Sequence, residues 1–431
     1  MRALSDRPFW HISIAGIFFQ GGAAAVDTST IIAALVHGLT GGSALAVGTA
    51  AAISRFGWLF PQLLVAYYAQ RRTSRLPFYM AGAFGRVACL VALAGVVWAA
   101  VQPASPATIA LFFTIWTAYA FVSGIVAVPY NDIVARSIPS GQRSRMLALR
   151  FFGGGLLALA VAATAQRMLA ALTFANAYAA VLLIGVGLLF VSALSFVTAR
   201  ETAAPSAPCL DRSFAEFVHG GARVLRNDRH FRLFIAAQWL GGASALALPF
   251  YVLLAGVSAA DVAILLGVQT TGALISNPLW GWWGDRLGKR SLLELNAALG
   301  SIAPLLALVW IVSFQSGRDL ALPYFVVVFV LVGALGNGAT IAQLGYLMEI
   351  SPDDRRPAYS GYFNALVTPV TLLPMAAGAL VQAFDSFAAV FAISGIAAAL
   401  QFLTVRRLRS AAPNEAIHAD QAPRQAPQAH R

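Results

Sequence analysis

Charge is what this sequence has least of. Only 11% of its 431 residues are Asp, Glu, Lys or Arg, too few to clothe a water-soluble globule of this length, so the solvent around most of the chain must be lipid. The two cysteines, Cys89 and Cys209, form neither a disulfide framework nor a metal-ligand spacing. The six histidines are scattered, with no His-x-x-x-His and no paired carboxylates, so neither a metal site, a cofactor nor an enzyme is expected. No phosphate-binding loop is present, and an ATP-driven pump would need a separate subunit. Period-two alternation is missing too, which argues against a membrane β-barrel.

What remains is apolar: 59% hydrophobic residues and a mean hydropathy of +0.73. Twelve runs are long enough to cross about 30 Å of hydrocarbon as helices of about 20 residues. They lie near 12–36, 45–69, 78–101, 107–130, 146–170, 176–198, 231–255, 260–283, 291–314, 321–347, 359–383 and 387–405. The expected fold is an all-α membrane protein with twelve transmembrane helices. The segment Met1 to Trp10 carries Arg2 and Arg7 before a run without a small-residue cleavage site, so it reads as an uncleaved first helix.

A net charge of +12 suggests nucleic acid until the basic residues are placed. With the N-terminus inside, 25 of the 29 Lys and Arg fall in segments on one side, Arg150 among them. Arg167 and Arg318 lie near the opposite face, and Arg55 and Arg86 fall inside apolar runs. That asymmetry puts both termini in the cytoplasm, in the inner membrane of a bacterial cell, and explains the charge without nucleic acid.

The chain divides at its middle. Residues 200–230 are polar, hold Pro205 and Pro208, and contain Ser213-Phe-Ala-Glu216, a capping-box pattern that opens a short amphipathic helix along the membrane surface. Residues 406–431 form a cytoplasmic tail rich in Ala, Gln and Pro, expected to be disordered. Between these segments lie two halves, 1–199 and 231–405. Asp132, Pro139, Arg143 and Arg145 before the fifth run have counterparts in Glu349, Pro352 and Arg356 before the eleventh, and these are expected to form second gate loops.

The densest polar cluster is Gly281-Trp-Trp-Gly-Asp-Arg-Leu-Gly-Lys-Arg290. Its order resembles the loop that joins the second and third helices in each half of a major facilitator superfamily transporter. That resemblance covers essentially the whole chain and implies two six-helix bundles with a site between them. Gly281 and Gly284 would let two helices approach, and Gly288 would allow a sharp reversal. Asp285 would hold a helix start or an arginine of the other half, while Arg286, Lys289 and Arg290 keep the loop on the cytoplasmic face. The first-half copy, Gln70-Arg-Arg-Thr-Ser-Arg75, lacks the aspartate and the glycines, which leaves a lock on that side in doubt. Val26-Asp-Thr-Ser-Thr30 and Ser54-Arg-Phe-Gly-Trp-Leu-Phe-Pro-Gln62 look like a bacterial subgroup of these permeases. The fifth span, Phe152-Gly-Gly-Gly-Leu-Leu-Ala-Leu-Ala-Val161, lacks the proline of the superfamily's drug antiporters.

Ionisable residues inside the spans are the first functional candidates, because each costs about 2.5–3.5 kcal/mol to insert. Asp27 is the acid well inside a span; Arg55 lies at similar depth on the next one and could pair with it. Asp27 then carries proton coupling, with Arg55 tuning it, or it caps a local helix break, or the two form a static pair. Arg86 is a candidate for binding an anionic substrate, or it snorkels to the interface. Uncharged cavity candidates are Gln20, Trp58, Gln238, Gln269 and Asn277, together with Asn337, Gln343, Asn364, Gln62 and Trp239. The function expected is a monomeric secondary transporter that moves a small organic solute across the lipid bilayer by alternating access. Proton-coupled export is favoured over import of a sugar or organic acid. The alternative of a different class is a non-transporting sensor or assembly protein with the same fold.

Overall fold

A computed structural model describes residues 7–69, 74–199, 224–313, 318–351 and 356–408. No strand occurs among these residues. The first half contains α1 (Arg7–Ala24), α2 (Ile31–Leu39), α3 (Ala44–Ala69), α4 (Leu76–Trp98), α5 (Pro106–Ser137), α6 (Ser140–Ala171) and α7 (Phe174–Val197). The second contains α8 (Arg229–Ser244), α9 (Phe250–Ala255), α10 (Ala259–Arg286), α11 (Lys289–Gly300), α12 (Ile302–Ser313), α13 (Ala321–Ile350), α14 (Arg356–Val367), α15 (Leu373–Phe384) and α16 (Ala388–Val405). The amphipathic segment expected from Ser213, and nearly all of the tail, lie outside the described residues.

Among the described residues, eleven segments are long and apolar enough to cross a membrane. The difference from the expected twelve is at the start, where the run foreseen as an unbroken helix over 12–36 is divided between α1 and α2. Asp27, Ser29 and Thr30 are residues whose short polar side chains compete with the helical backbone, and here they satisfy the polar groups that the break exposes. Three other runs are also interrupted. The seventh passes through a 3-10 turn at Ala245–Ala247 before Pro249, the ninth turns at Ser301, and the eleventh has a 3-10 segment at Thr368–Leu372 around Pro369. Proline has no N–H to continue a helix, yet Pro61, Pro129 and Pro278 stay inside α3, α5 and α10, as helices packed within a membrane allow.

Within the first half α1 packs on α6 and α7, α4 on α5 and α7, and α3 on α5; within the second, α10 packs on α13, α8 on α16, and α11 on both α13 and α16. The halves meet through α3 against α15 and α6 against α10, with α2 touching α9 and α10. Close approach depends on small residues. A Cβ on Gly378 would lie 2.5 Å from the Ala44 carbonyl oxygen, one on Gly48 would strike the Pro374 carbonyl, and one on Gly155 would strike Leu274.

The two ends of the bundle differ. One is marked by Arg75, Arg136, Lys289, Arg290 and Arg406, and is called the basic end below. At the far end a single apolar core runs through both halves, from Ile31 and Leu35 to Phe250, Phe325 and Phe391. At the basic end there are two cores, one around Phe9, Tyr79 and Phe196, the other around Phe231, Trp280 and Tyr346. Each belongs to one half. Apolar burial therefore joins the halves at the far end and leaves them separate at the basic end.

Gly378→Leu is expected to push α15 from α3 and loosen the far-end closure by about 1–3 kcal/mol, the usual cost of overpacking. The measurement is maleimide labelling of Thr28→Cys, on the wall of the larger cavity, in protein lacking Cys89 and Cys209. Labelling from the far side should rise roughly tenfold, whereas Gly187→Leu, whose Cβ meets open space, should leave it unchanged. Equal rates in both variants would show that closure does not rest on the α3–α15 approach.

Candidate functional site

Two cavities share Phe19, Trp58 and Arg86 on their walls. The larger, about 540 Å³, is lined mainly by α1, α3 and α5 and reaches the second half at Thr340 and Thr371. The smaller, about 150 Å³, lies in the first half toward the basic end, bordered by Tyr79, Tyr130, Asn131 and Arg150.

Asp27 stands at the break between α1 and α2 and lines the larger cavity. Its Oδ1 accepts from the Ser29 backbone N–H at 2.9 Å, the Ser29 hydroxyl at 2.6 Å and the Thr30 hydroxyl at 2.8 Å. Its backbone carbonyl accepts from the Ile32 N–H at 2.9 Å. These bonds replace the ladder that the break removes. Ser29 Oγ also lies 3.2 Å from the Gln269 side-chain amide on α10. The amide atom facing it is the acceptor Oε1, so Asp27 Oδ1 and Gln269 Oε1 compete for the one Ser29 hydroxyl proton, with the shorter bond to Asp27. The break in the first half is thereby tied to the second.

Arg55 lies on α3, exposed to the same cavity. It is near enough for the Asp27 charge to attract its guanidinium, but no ion pair within 4.0 Å joins the two. Neither a tight static pair nor an isolated acid describes them. Arg86, on α4, does not snorkel: it is 2% exposed, with its guanidinium carbon 4.9 Å from the centre of the Phe19 ring.

Trp58 and Arg86 are on the cavity walls; the amide candidates are not. Gln20 packs its stem where a Cβ on Gly154 would be. Asn337 donates to Asn277 Oδ1 at 3.2 Å, joining α13 to α10. Gln62 donates to the Trp58 carbonyl, and Trp239 donates to the Leu366 carbonyl. The buried Nε2 of Gln238 has no hydrogen-bond partner. Gln343 and Asn364 are half-buried on α13 and α14.

The expected gate motif spans the end of α10, a Leu287-Gly288 turn and the start of α11. Gly288 has φ +85, the left-handed region that suits glycine. A Cβ on Gly284 would meet Lys289 Nζ at 3.0 Å, whereas one on Gly281 would meet nothing, so of these two only Gly284 serves a close approach. Asp285 is 77% exposed and pairs at 2.8 Å with Lys289 of its own turn, not with a group of the first half. Arg286 lies 6.0 Å from the Trp282 ring centre. Arg290 donates to the Arg406 carbonyl at 3.0 Å, and Glu294 sits 3.9 Å from Arg290 and 3.6 Å from Arg406.

The first half, whose loop lacks an acid, takes one from α5. Asp132 lies 3.2 Å from Arg75 Nε and 2.8 Å from Arg136 Nη2. Arg145 leans on the Phe9 ring at 5.7 Å instead. Glu349 faces Lys289, and the side chains of Arg143 and Arg356 lie outside the described residues.

Sequence reasoning missed Arg150 as a site residue. It was counted among basic residues outside the membrane, yet it sits inside α6 on the smaller cavity. Its Nη1 donates to Tyr130 Oη at 2.9 Å, and its guanidinium carbon lies 5.5 Å from the Phe19 ring centre. Phe19, Tyr79, Tyr119 and Tyr130 were missed as well, because nothing in an apolar run separates a cavity-facing aromatic residue from a lipid-facing one.

Comparison with known proteins accords with this geometry. The family model of the major facilitator superfamily matches residues 189–428, over half of the chain, including the 281–290 motif. Uncharacterised proteins of Mycobacterium tuberculosis and Mycobacterium bovis are 23% identical over 303 residues, covering 68% of this chain and 56% of theirs. The chain thus matches just over half the length of those relatives. Among solved structures, the nucleoside transporter NupG superposes with a TM-score of 0.74 at 11% identity, covering 93% of this chain and 99% of that one. A POT family transporter in complex with 5-aminolevulinic acid gives 0.71 at 10% identity, covering 94% and 97%. The xylose transporter XylE from E. coli, in a partially occluded inward-open conformation, gives 0.67 at 12% identity, covering 95% and 98%. At such identities the structures establish the fold alone. With its family match over the second half and its fold shared along nearly the whole length, this multi-pass membrane chain belongs to the major facilitator superfamily of transporters.

Proposed function

We propose that the chain is a secondary transporter carrying a small organic solute through a bacterial inner membrane by alternating access, with both termini in the cytoplasm. Residues 1–199 and 231–405 rock against each other, and residues 200–230 tether them. The positive-inside asymmetry supports this orientation, and the single shared core at the far end supports a state closed there and open toward the cytoplasm.

Proton coupling is placed at Asp27. The observation that carries it is that Asp27 is, among the described residues, the acid on the wall of the larger cavity, and its hydrogen-bond partner Ser29 touches Gln269 of the other half. A protonated carboxyl is a poorer acceptor than a carboxylate, so neutralising Asp27 loosens its bonds to Ser29 and Thr30 and frees Ser29 to rearrange against Gln269. Occupancy of one proton site thereby changes the contact between the halves.

Asp27→Asn is expected to abolish accumulation driven by a pH gradient in proteoliposomes while leaving solute exchange measurable, since Asn imitates the protonated acid. Gradient-driven accumulation at near-normal rate in Asp27→Asn/Arg55→Ala would dispose of the coupling role and leave Asp27 as a cap.

The basic-end clusters separate structure from gating. Asp285→Asn removes a surface pair spaced i, i+4, with an expected cost of about 0.3–0.5 kcal/mol. Asp132→Asn removes the carboxylate shared by Arg75, 8% exposed, and Arg136. Its cost should lie near the lower end of the roughly 1.5–3 kcal/mol of bonds to charged groups, because Asp132 is 33% exposed. Thermal melting of the two variants should rank them in that order; a larger loss in Asp285→Asn would mean that its carboxylate makes a contact to the first half in a populated state.

A further inference from the structure

The first half holds two cations, Arg86 buried and Arg150 half-buried, that the proton-coupling scheme does not use. Arg86 on α4 and Arg150 on α6 both direct their guanidinium groups at Phe19 on α1, at 4.9 and 5.5 Å from its ring centre. Neither forms an ion pair with any acid among the described residues. The Nε atom of each is buried without a hydrogen-bond partner. An aromatic face attracts a cation but carries no net charge to neutralise it. A guanidinium removed from water without a counter-charge is strongly unfavourable, and two side by side repel each other as well. Such an arrangement persists where a mobile anion completes it.

The space for that anion is present. Both arginines line the cavity of about 150 Å³, which shares Phe19, Trp58 and Arg86 with the wall of the central one. Tyr130 Oη accepts from Arg150 Nη1, so its own proton is available to a second acceptor. Tyr79 stacks on Phe196 at 4.0 Å between ring centres, and Tyr130 lies 5.2 Å from the same ring, which fixes both phenols beside the cations. Asn131 adds an amide to the wall. Donors outnumber acceptors, and the apolar surface comes from rings.

We propose that Arg86 and Arg150 form the anion-binding subsite for the transported solute, which is therefore a small organic acid bearing a carboxylate or phosphate, with its apolar part against Phe19 and Trp58. This rests on the transporter reading for the word transported; the binding claim stands without it. Of the substrates foreseen from sequence, it favours an organic acid over a sugar.

The test uses purified full-length protein in chloride-free buffer. Thermal melting is followed with succinate, benzoate and benzyl phosphate, and with the neutral partners succinamide, benzamide and benzyl alcohol. At least one anion should raise the melting temperature while its neutral partner does not, and the responding anion identifies carboxylate or phosphate as the preferred group. Arg86→Met and Arg150→Met should each weaken that binding roughly tenfold or more, as expected for losing a charge-assisted hydrogen bond. Each should also melt no lower than the parent without ligand, because each removes an uncompensated cation; a merely structural arginine predicts a lower melting temperature. Tyr130→Phe, which keeps both charges, should weaken binding less than either arginine variant.

An equal response to chloride, no response to any anion, or anion binding unchanged in both arginine variants overturns the proposal. The transporter reading is tested separately in proteoliposomes. An anion that binds but shows no counterflow sinks transport and leaves the subsite, whereas counterflow of a neutral sugar by protein indifferent to every anion does the reverse.

Discussion

Lipid offers no hydrogen bonds, and this constraint shapes the whole molecule. Every backbone N–H and C=O in the membrane must find a partner inside the protein, so the spanning parts are helices. Where a helix stops short, something must take over the exposed groups. Asp27 does this at the break between α1 and α2, accepting from the Ser29 N–H and hydroxyl and the Thr30 hydroxyl, while its carbonyl accepts from Ile32. The break is tolerable because it faces a cavity and not lipid. The same residue is therefore both the structural cap and the carboxylate nearest the space where a solute fits; the cap and coupling roles set apart on sequence grounds concern one set of bonds.

Helix approach decides which end of the molecule is shut. Gly48 and Gly378 let α3 and α15 meet backbone to backbone, and the apolar core around Ile31, Phe250 and Phe391 seals both halves at the far end. At the basic end the cores separate, and the ion pairs seen among the described residues lie within single halves: Arg75–Asp132–Arg136 in the first, Lys289–Asp285 and Arg290–Glu294–Arg406 in the second. Charges that neutralise one another locally do not bind the other half. Asp285, 77% exposed, is thus free to take a different partner when the halves come together.

Much of this was legible in the sequence, for physical reasons. The thickness of the hydrocarbon fixes span length, so hydropathy located the runs to within a few residues. The break at 25–30 entered only as one alternative role for Asp27, because its neighbours are apolar and a span-length average hides four polar residues, although Asp27, Ser29 and Thr30 are the types that end helices. Arg86 stood out because nothing charged lies near it in the chain. Arg150 did not, since Arg143 and Arg145 precede it and the count of cytoplasmic charges absorbed it; α6 begins at Ser140, so Arg150 is nearly three turns inside at 3.6 residues per turn. The Arg75–Asp132 pair joins different helices and has no sequence signature. The amide candidates lie off the walls of the two cavities for a simpler reason: an Asn or Gln in a helix can bond to a neighbouring helix or its own backbone, as Asn277, Asn337 and Gln62 do.

The charges of the two proposals bear on each other. With Asp27 ionised, the cavity walls carry Arg55, Arg86 and Arg150 against one carboxylate. If Asp27 takes up the coupled proton, that carboxylate charge disappears and an anion at Arg86 and Arg150 meets three cations with no opposing acid. Protonation then strengthens anion binding, and by linkage a bound anion favours the proton to the same extent. Two ligands that promote each other's binding load and leave together. Exchange of a proton against the solute would need the opposite sign, each expelling the other. If both proposals hold, the electrostatics of this wall favours cotransport of an organic acid with a proton over the proton-coupled export expected from sequence.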